Sequence, residues 1–243
     1  MRIIVFLFIL GESVVSSCPG QQMQSCNHEE ADTRILVHVK DALAKGGRSI
    51  LVRTVDTDVV VILIAQFHTF SSTWPGSSFW VAFGMGKTFQ LLSVNSICDS
   101  LGEQKCRALP FFHAFTGCDT TSAFLGKGKK SAWEAWKAYP EVTEAFLYVN
   151  DNPFNPLEID SPLYKVLQRF VVVLYDRTSL ATDVNTARRE LFTKKNRALE
   201  NIPPTEVKTH HTQPLALKTL GGRFVLNRPL VLIHLEISFT QTN

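Results

Sequence analysis

The chain has 243 residues, of which 45% are hydrophobic and 19% charged, and a formal net charge of +3. This length supports one large domain or a domain with an appendage, and the composition excludes an intrinsically disordered chain. The mildly basic balance is compatible with a nucleic-acid partner without demanding one, and five cysteines with no CxxC spacing indicate neither a zinc ribbon nor a complete disulfide framework.

The first ten residues, MRIIVFLFIL, support two readings. A lone Arg2, an apolar core from Ile3 to Leu10 and the small residues Ser16 and Ser17 make residues 1–17 a passable secretory signal. The same run is β-branched and aromatic and ends at a glycine, as a buried strand would. It is too short to span a membrane. An intracellular protein with reduced thiols is the expectation, with secretion as the alternative.

Residues 18–27 are polar and turn-rich, and HEEADTRILVHVKDALAKGG then carries the marks of a helix. Asn27 or His28 can cap it, and acids crowd its first turn. Ile35, Val39, Ala42 and Leu43 recur at helical spacing, and Gly46-Gly47 stops it. A strand is expected over Ser49–Thr54, followed by a helix from Val59 to about Phe70 capped by Asp58. Ser78–Gly84 and Thr88–Leu92 read as further strands. Helices are expected over Ser93–Leu101, Lys105–Phe115, Lys129–Tyr139, Glu141–Val149, Ser161–Tyr175 and Asp183–Leu199. Near the end, PLVLIHLEISF reads as an isolated strand.

The alternation of helix and strand over residues 28–92 predicts a parallel α/β sheet, in which ligands sit at the carboxyl ends of the strands. Asp56 and Asp58 fall at such an end. Glu29, Glu30 and Asp32 open a helix, and Asp119 follows one in FHAFTGCDTTSAF. Taken singly, these acids read as helix capping, an N-cap and an Asx turn. Several carboxylates gathered at one sheet edge would repel one another unless a cation offset them. Oxygen donors without paired thiols or a His-x-x-His set point to Mg2+ or Mn2+. A pair of such ions about 3.5–4 Å apart is a clamp for phosphodiester cleavage. After Asp119, Gly126 and Gly128 would let backbone N–H groups approach a phosphate, and Lys127, Lys129 and Lys130 would supply charge at a helix N-terminus. The spacing is not that of a Walker loop.

The order EAD in a helix, DTD after a strand and GCD before a GKGK turn resembles the metal-binding core of PIN-like, flap-endonuclease-type nucleases. More closely, residues 12–205, including HEEADTRILVHVKDALAKGG, VRTVDTDVVVILI, WVAFGMGK and LPFFHAFTGCDTTSAFLGKGKKSAWEAWK, resemble a set of repetitive-element-associated animal proteins. The resemblance implies an α/β fold with a PIN-like, parallel-sheet, three-layer core over residues 1–125. It implies a helical, nucleic-acid-gripping region over 126–202 and an atypical tail over 203–243.

By position, Glu30 and Asp32 match the EAD pair, Asp56 and Asp58 the DxD pair, and Asp119 the GCD aspartate. These five would hold Mg2+ or Mn2+, with Asp56, Asp58 and Asp119 central to catalysis. Gly126, Lys127, Gly128, Lys129 and Lys130 match the turn that grips the nucleic-acid backbone. In that family a further metal-binding Asp ends a strand well before the EAD helix. Here the sole candidate, Glu12, lies 18 positions before Glu30. That is too close for the intervening elements, so the resemblance implies an N-terminally truncated core lacking its first acid.

Two functions follow. One is a metal-dependent, structure-selective nuclease acting on DNA or RNA, nuclear or otherwise intracellular. The other is a catalytically incomplete nucleic-acid-binding module that keeps the fold. Trp133 and Trp136, at i and i+3, are expected in the core, and Cys118 with His113 lacks the third group of a nucleophile triad.

Overall fold

A computed structural model of the chain describes residues 2–10, 13–16, 31–118, 124–152, 155, 157–195, 201–210 and 233–238. The chain divides into two units, one made of Met1–Arg107 with Gly222–Asn243 and one of Ala108–Gly221. The division falls at 107/108, inside a helix.

The first unit is built on a sheet whose strands run β2-β1-β6-β3-β4-β5. These are β1 (Arg2–Leu10), β2 (Ser13–Ser16), β3 (Ser49–Thr54), β4 (Ser78–Phe83), β5 (Gln90–Ser93) and β6 (Ile233–Ser238). The N-terminal apolar run is therefore a strand, and so is the isolated run near the C-terminus. Among the described strands only β3 and β4 pair in parallel, and the other neighbouring pairs are antiparallel. This corrects the expected parallel sheet to a mixed one, and loop length is the reason. The 17-residue helix α2 (Thr57–Thr73) supplies the crossover that a parallel pair needs. Only residues 84–89 join β4 to β5, so that pair can form only a hairpin.

Helix α1 (Ala31–Ala44) buries Ile35, Val39 and Leu43, a stripe at i, i+4 and i+8. It ends where Gly46, at φ 95°, donates to Leu43 O while Gly47 donates to Ala42 O. This is the left-handed stop that glycine supplies at little cost. Asn27 to Glu30, where the cap was expected, lie outside the described residues. Helix α2 buries Val59, Val60, Val61, Leu63, Ile64, Phe67 and Phe70. Each such side chain stabilises by roughly 1.5–3 kcal/mol on leaving water. Helix α3 (Val94–Leu101) follows β5 directly, with the Ser93 hydroxyl capping it by accepting from Ser96 N.

His38 is 2% exposed within this core, and neither ring nitrogen finds a partner among the described residues. Burial holds its pKa below the usual 6.5, with Arg34 and Lys45 acting in the same direction and Asp41 opposing them. As pH falls, the unfolded chain therefore binds this proton before the folded one does. The contribution of His38 is intact above about pH 6.5 and is lost as pH falls through the lower, folded value. His38→Leu is expected to flatten the fall in Tm between pH 7 and 5; an unchanged slope would assign the acid sensitivity elsewhere.

The second unit is helical: the end of α4 (Glu103–Phe115), α5 (Lys129–Ala138), α6 (Val142–Asp151), α7 (Pro162–Tyr175) and α8 (Val184–Lys195). Its core is an aromatic cluster in which Phe112, Phe146 and Trp133 surround Trp136. This bears out the core reading of the two tryptophans. Helix α7 is buried along most of its length, and Ser161 caps it with Pro162 in the first turn. Gln168 is buried but satisfied: its amide donates to Glu206 Oε1 at 2.8 Å and accepts from Val184 N at 3.2 Å. Among the described residues no helix is long and apolar enough to cross a membrane.

Candidate acidic site and lysine turn

Strand β3 buries Ile50, Val52 and Thr54 on one face and then runs out of sheet. The chain turns sharply, with Asp56 N donating to Thr54 Oγ1 at 2.9 Å. Asp56 is extended, and its Oδ1 accepts from Asp58 N at 2.9 Å. Asp56 is thus the N-cap of α2. This corrects the expectation that Asp58 caps a helix beginning at Val59. The helix starts at Thr57, and Asp58 occupies its first turn, where the helix dipole favours negative charge. Both aspartates are half-buried.

Next to this turn, Gly84 N donates to Thr54 O and prolongs the parallel pairing by one bond. Gly84 has φ 81°, and a Cβ there would lie 2.6 Å from Thr88 O, so only glycine fits. The two aspartates therefore sit at the carboxyl end of the parallel pair. A four-residue turn joins helix α1, about 20 Å long, to β3. Helix α1 packs on α2, and it begins with a turn over residues 31–34. That turn contains Asp32, whose side chain is outside the described ones. Glu30 and Asp119 also lie outside the described residues, so their part in an acidic cluster has no geometry here.

Among the described residues no three His, Cys, Asp or Glu side chains gather as a metal-binding group. Asp56 and Asp58 lie two residues apart, joined by the bond from Asp58 N to Asp56 Oδ1. As hard oxygen donors they suit Mg2+ or Mn2+ and not a thiophilic ion.

The glycine of the GCD motif has a plain local role. Gly117, at φ 100°, donates to Ala114 O and ends α4. The lysine turn is likewise partly committed. Lys129 Nζ donates to His113 O and, at 2.9 Å, to Thr116 Oγ1, and it lies 5.9 Å from the Phe112 ring centroid. Its ammonium caps the carbonyl end of α4, where the dipole favours a cation. Lys127 lies over the Tyr175 ring at 5.1 Å, while Lys130 is exposed. Lys129 is thus tied to the end of α4, and Lys130 is the most open cation of the three.

Gly126, at φ 69°, serves a turn closed by Lys127 N on Phe124 O. Gly128 needs no glycine conformation: it caps α5 at φ −87°, and a Cβ there meets nothing within 4 Å. Gly128→Ser is therefore expected to leave stability within a few tenths of a kcal/mol, because serine is the better cap. A backbone cradle for phosphate would make the same variant bind oligonucleotide more weakly. Fluorescence anisotropy beside a melting curve separates the two effects.

Sequence reasoning passed over two features. Cys98 and Cys106 are fully buried free thiols. Cys98 Sγ donates to Ile64 O and Cys106 Sγ to Cys98 O, and the neighbouring Cys106 together with burial pushes the Cys98 thiol up and keeps it protonated. Arg53 lies over the Phe89 ring at 5.7 Å. Neither pairing joins residues close enough in sequence to signal contact. No protein-family model, curated protein or solved structure matches the chain.

Proposed function

We propose that Asp56 and Asp58 anchor a divalent-metal-dependent nuclease site, in a PIN-like core, that hydrolyses phosphodiester bonds of DNA or RNA. The observation that carries this reading is the placement of two half-buried carboxylates at the carboxyl end of the β3–β4 parallel pair. Mg2+ or Mn2+, when bound, supplies an activated water and stabilises the leaving oxygen. The chain's own part is to hold the two carboxylates in register. The cap bond from Asp58 N to Asp56 Oδ1 fixes one carboxylate against the backbone of the other.

A second reading is a nucleic-acid-binding module without a full set of metal ligands. The commitment of Asp56 to capping α2 favours it.

Thermal unfolding with and without Mn2+ distinguishes them. An ion that binds only the folded state at 100 times its Kd adds about 2.7 kcal/mol, which raises Tm by several degrees. The nuclease reading expects that rise in the wild type and its loss in the Asp56→Asn, Asp58→Asn double variant. No Mn2+ response with oligonucleotide binding retained leaves the second reading.

A further inference from the structure

Between Asp58 and Asp99 the chain has no Asp or Glu, and its only Lys or Arg is Lys87. Yet this stretch exposes large apolar side chains: Trp80 (37%), Met85 (65%), Phe89 (47%) and Leu91 (56%). The register explains how they gather. Arg53 on β3 pairs with Ala82 on β4, which pairs with Leu91 on β5, and Leu51 pairs with Trp80, which pairs with Ser93. Directly paired residues point to one side of a sheet, so these six share a face. The opposite face carries the buried Ile50, Val52, Phe79 and Val81. Phe89 leads into β5, and its ring meets the Arg53 guanidinium, stacking a cation on an exposed aromatic. On β6, Glu236 pairs with Leu51 and is the nearest acid in the register.

We infer that Trp80, Phe89, Leu91 and Arg53, with Lys87 beside them, form a stacking platform for single-stranded nucleic acid. The proposal rests on the nucleic-acid reading above and not on its metal. An exposed aromatic surface that carries Arg53, with Lys87 in the adjoining loop, matches a polyanion with apolar faces. Base–aromatic stacking is worth about 1–3 kcal/mol per base whatever the sequence, and cations meet the phosphates. A duplex hides its base faces and would gain only the charge term. A second copy docking through the same face would set Arg53 and Lys87 against their own counterparts. The platform borders the acidic pair, because the loop carrying Met85 and Lys87 starts at Gly84, which bonds Thr54. A strand lying across β5, β4 and β3 therefore leads toward Asp56 and Asp58.

The test uses the full chain in EDTA with a fluorescein-labelled 15-nucleotide oligo-dT, read by anisotropy. The wild type is expected to bind the single strand more tightly than a duplex of equal length. Phe89→Ala and Arg53→Gln are each expected to weaken binding about tenfold, with Tm checked beside them. Arg53→Lys restores the charge and, without the planar stack, recovers only part of the affinity. Affinity unchanged in both variants, equal affinity for duplex, or no binding by the wild type overturns the proposal. So does a sedimenting dimer that Leu91→Lys dissociates, which would give the face to self-association. Because EDTA is present, a failure here leaves the Mn2+ response standing, and loss of that response leaves this result standing.

Discussion

Trp136→Ala is expected to destabilise the second unit by about 3–5 kcal/mol, the range for deleting a fully buried large aromatic. Trp136 is 1% exposed, and its ring centroid lies 4.7 Å from Phe112, 5.2 Å from Phe146 and 5.3 Å from Trp133. Its removal opens a cavity in the middle of that cluster. It also ends the bond from the indole N–H to Thr143 Oγ1 at 2.9 Å, although Thr143 still donates to Pro140 O. Trp136→Phe keeps most of the volume and loses the hydrogen bond, so it should cost about 1–2 kcal/mol. Urea denaturation followed by circular dichroism measures both. A cost below about 1 kcal/mol for the alanine variant would mean that the cluster is not the organising core of this unit.

Asp56→Asn is expected to lower metal-dependent cleavage about 100-fold or more while leaving stability within about 0.5 kcal/mol. Asparagine caps a helix as well as aspartate does, so the bond to Asp58 N survives the change. What is lost is one negative charge facing the ion, and an ion's stabilisation of the transition state amounts to several kcal/mol. Asp56→Ala removes cap and charge together and should cost a further ~1 kcal/mol of stability. If Asp56→Asn kept full cleavage and stability while Asp56→Ala lost both, the role of Asp56 would reduce to its cap. If both stayed active, its carboxylate would have no part in metal binding.

Much of the first unit was legible because its elements are strongly patterned. The alternation in Ser49–Thr54, the long apolar run of α2 and the stripe of α1 each carry one period, and the structure follows them. The cap of α2 was displaced by two positions, since DTD offers two capping aspartates and only the tertiary turn at Thr54 selects the first. The mixed sheet was less legible. The β3 neighbour opposite β4 is β6, contributed by the far end of the chain, and no local pattern announces that pairing.

In the lysine turn, three cations in a glycine-rich stretch read as one surface feature. The fold gives Lys129 to a helix end and places Lys127 over Tyr175. The Arg53–Phe89 stack joins residues on separate strands, and only the register brings them together. Of the candidate acids, the DTD pair was legible as a strand-end feature. The sequence joined it to Glu30, Asp32 and Asp119 through motif order alone.

The most direct test of the central claim incubates the purified chain with a 5′-labelled flap substrate and its single-stranded arm, with Mn2+ or with EDTA. Cleavage is expected to require the ion and to disappear in Asp58→Asn, whose fold is checked by its melting curve. Cleavage that persists in EDTA or in Asp58→Asn, or no cleavage by wild-type chain that binds the same substrate, would contradict the claim.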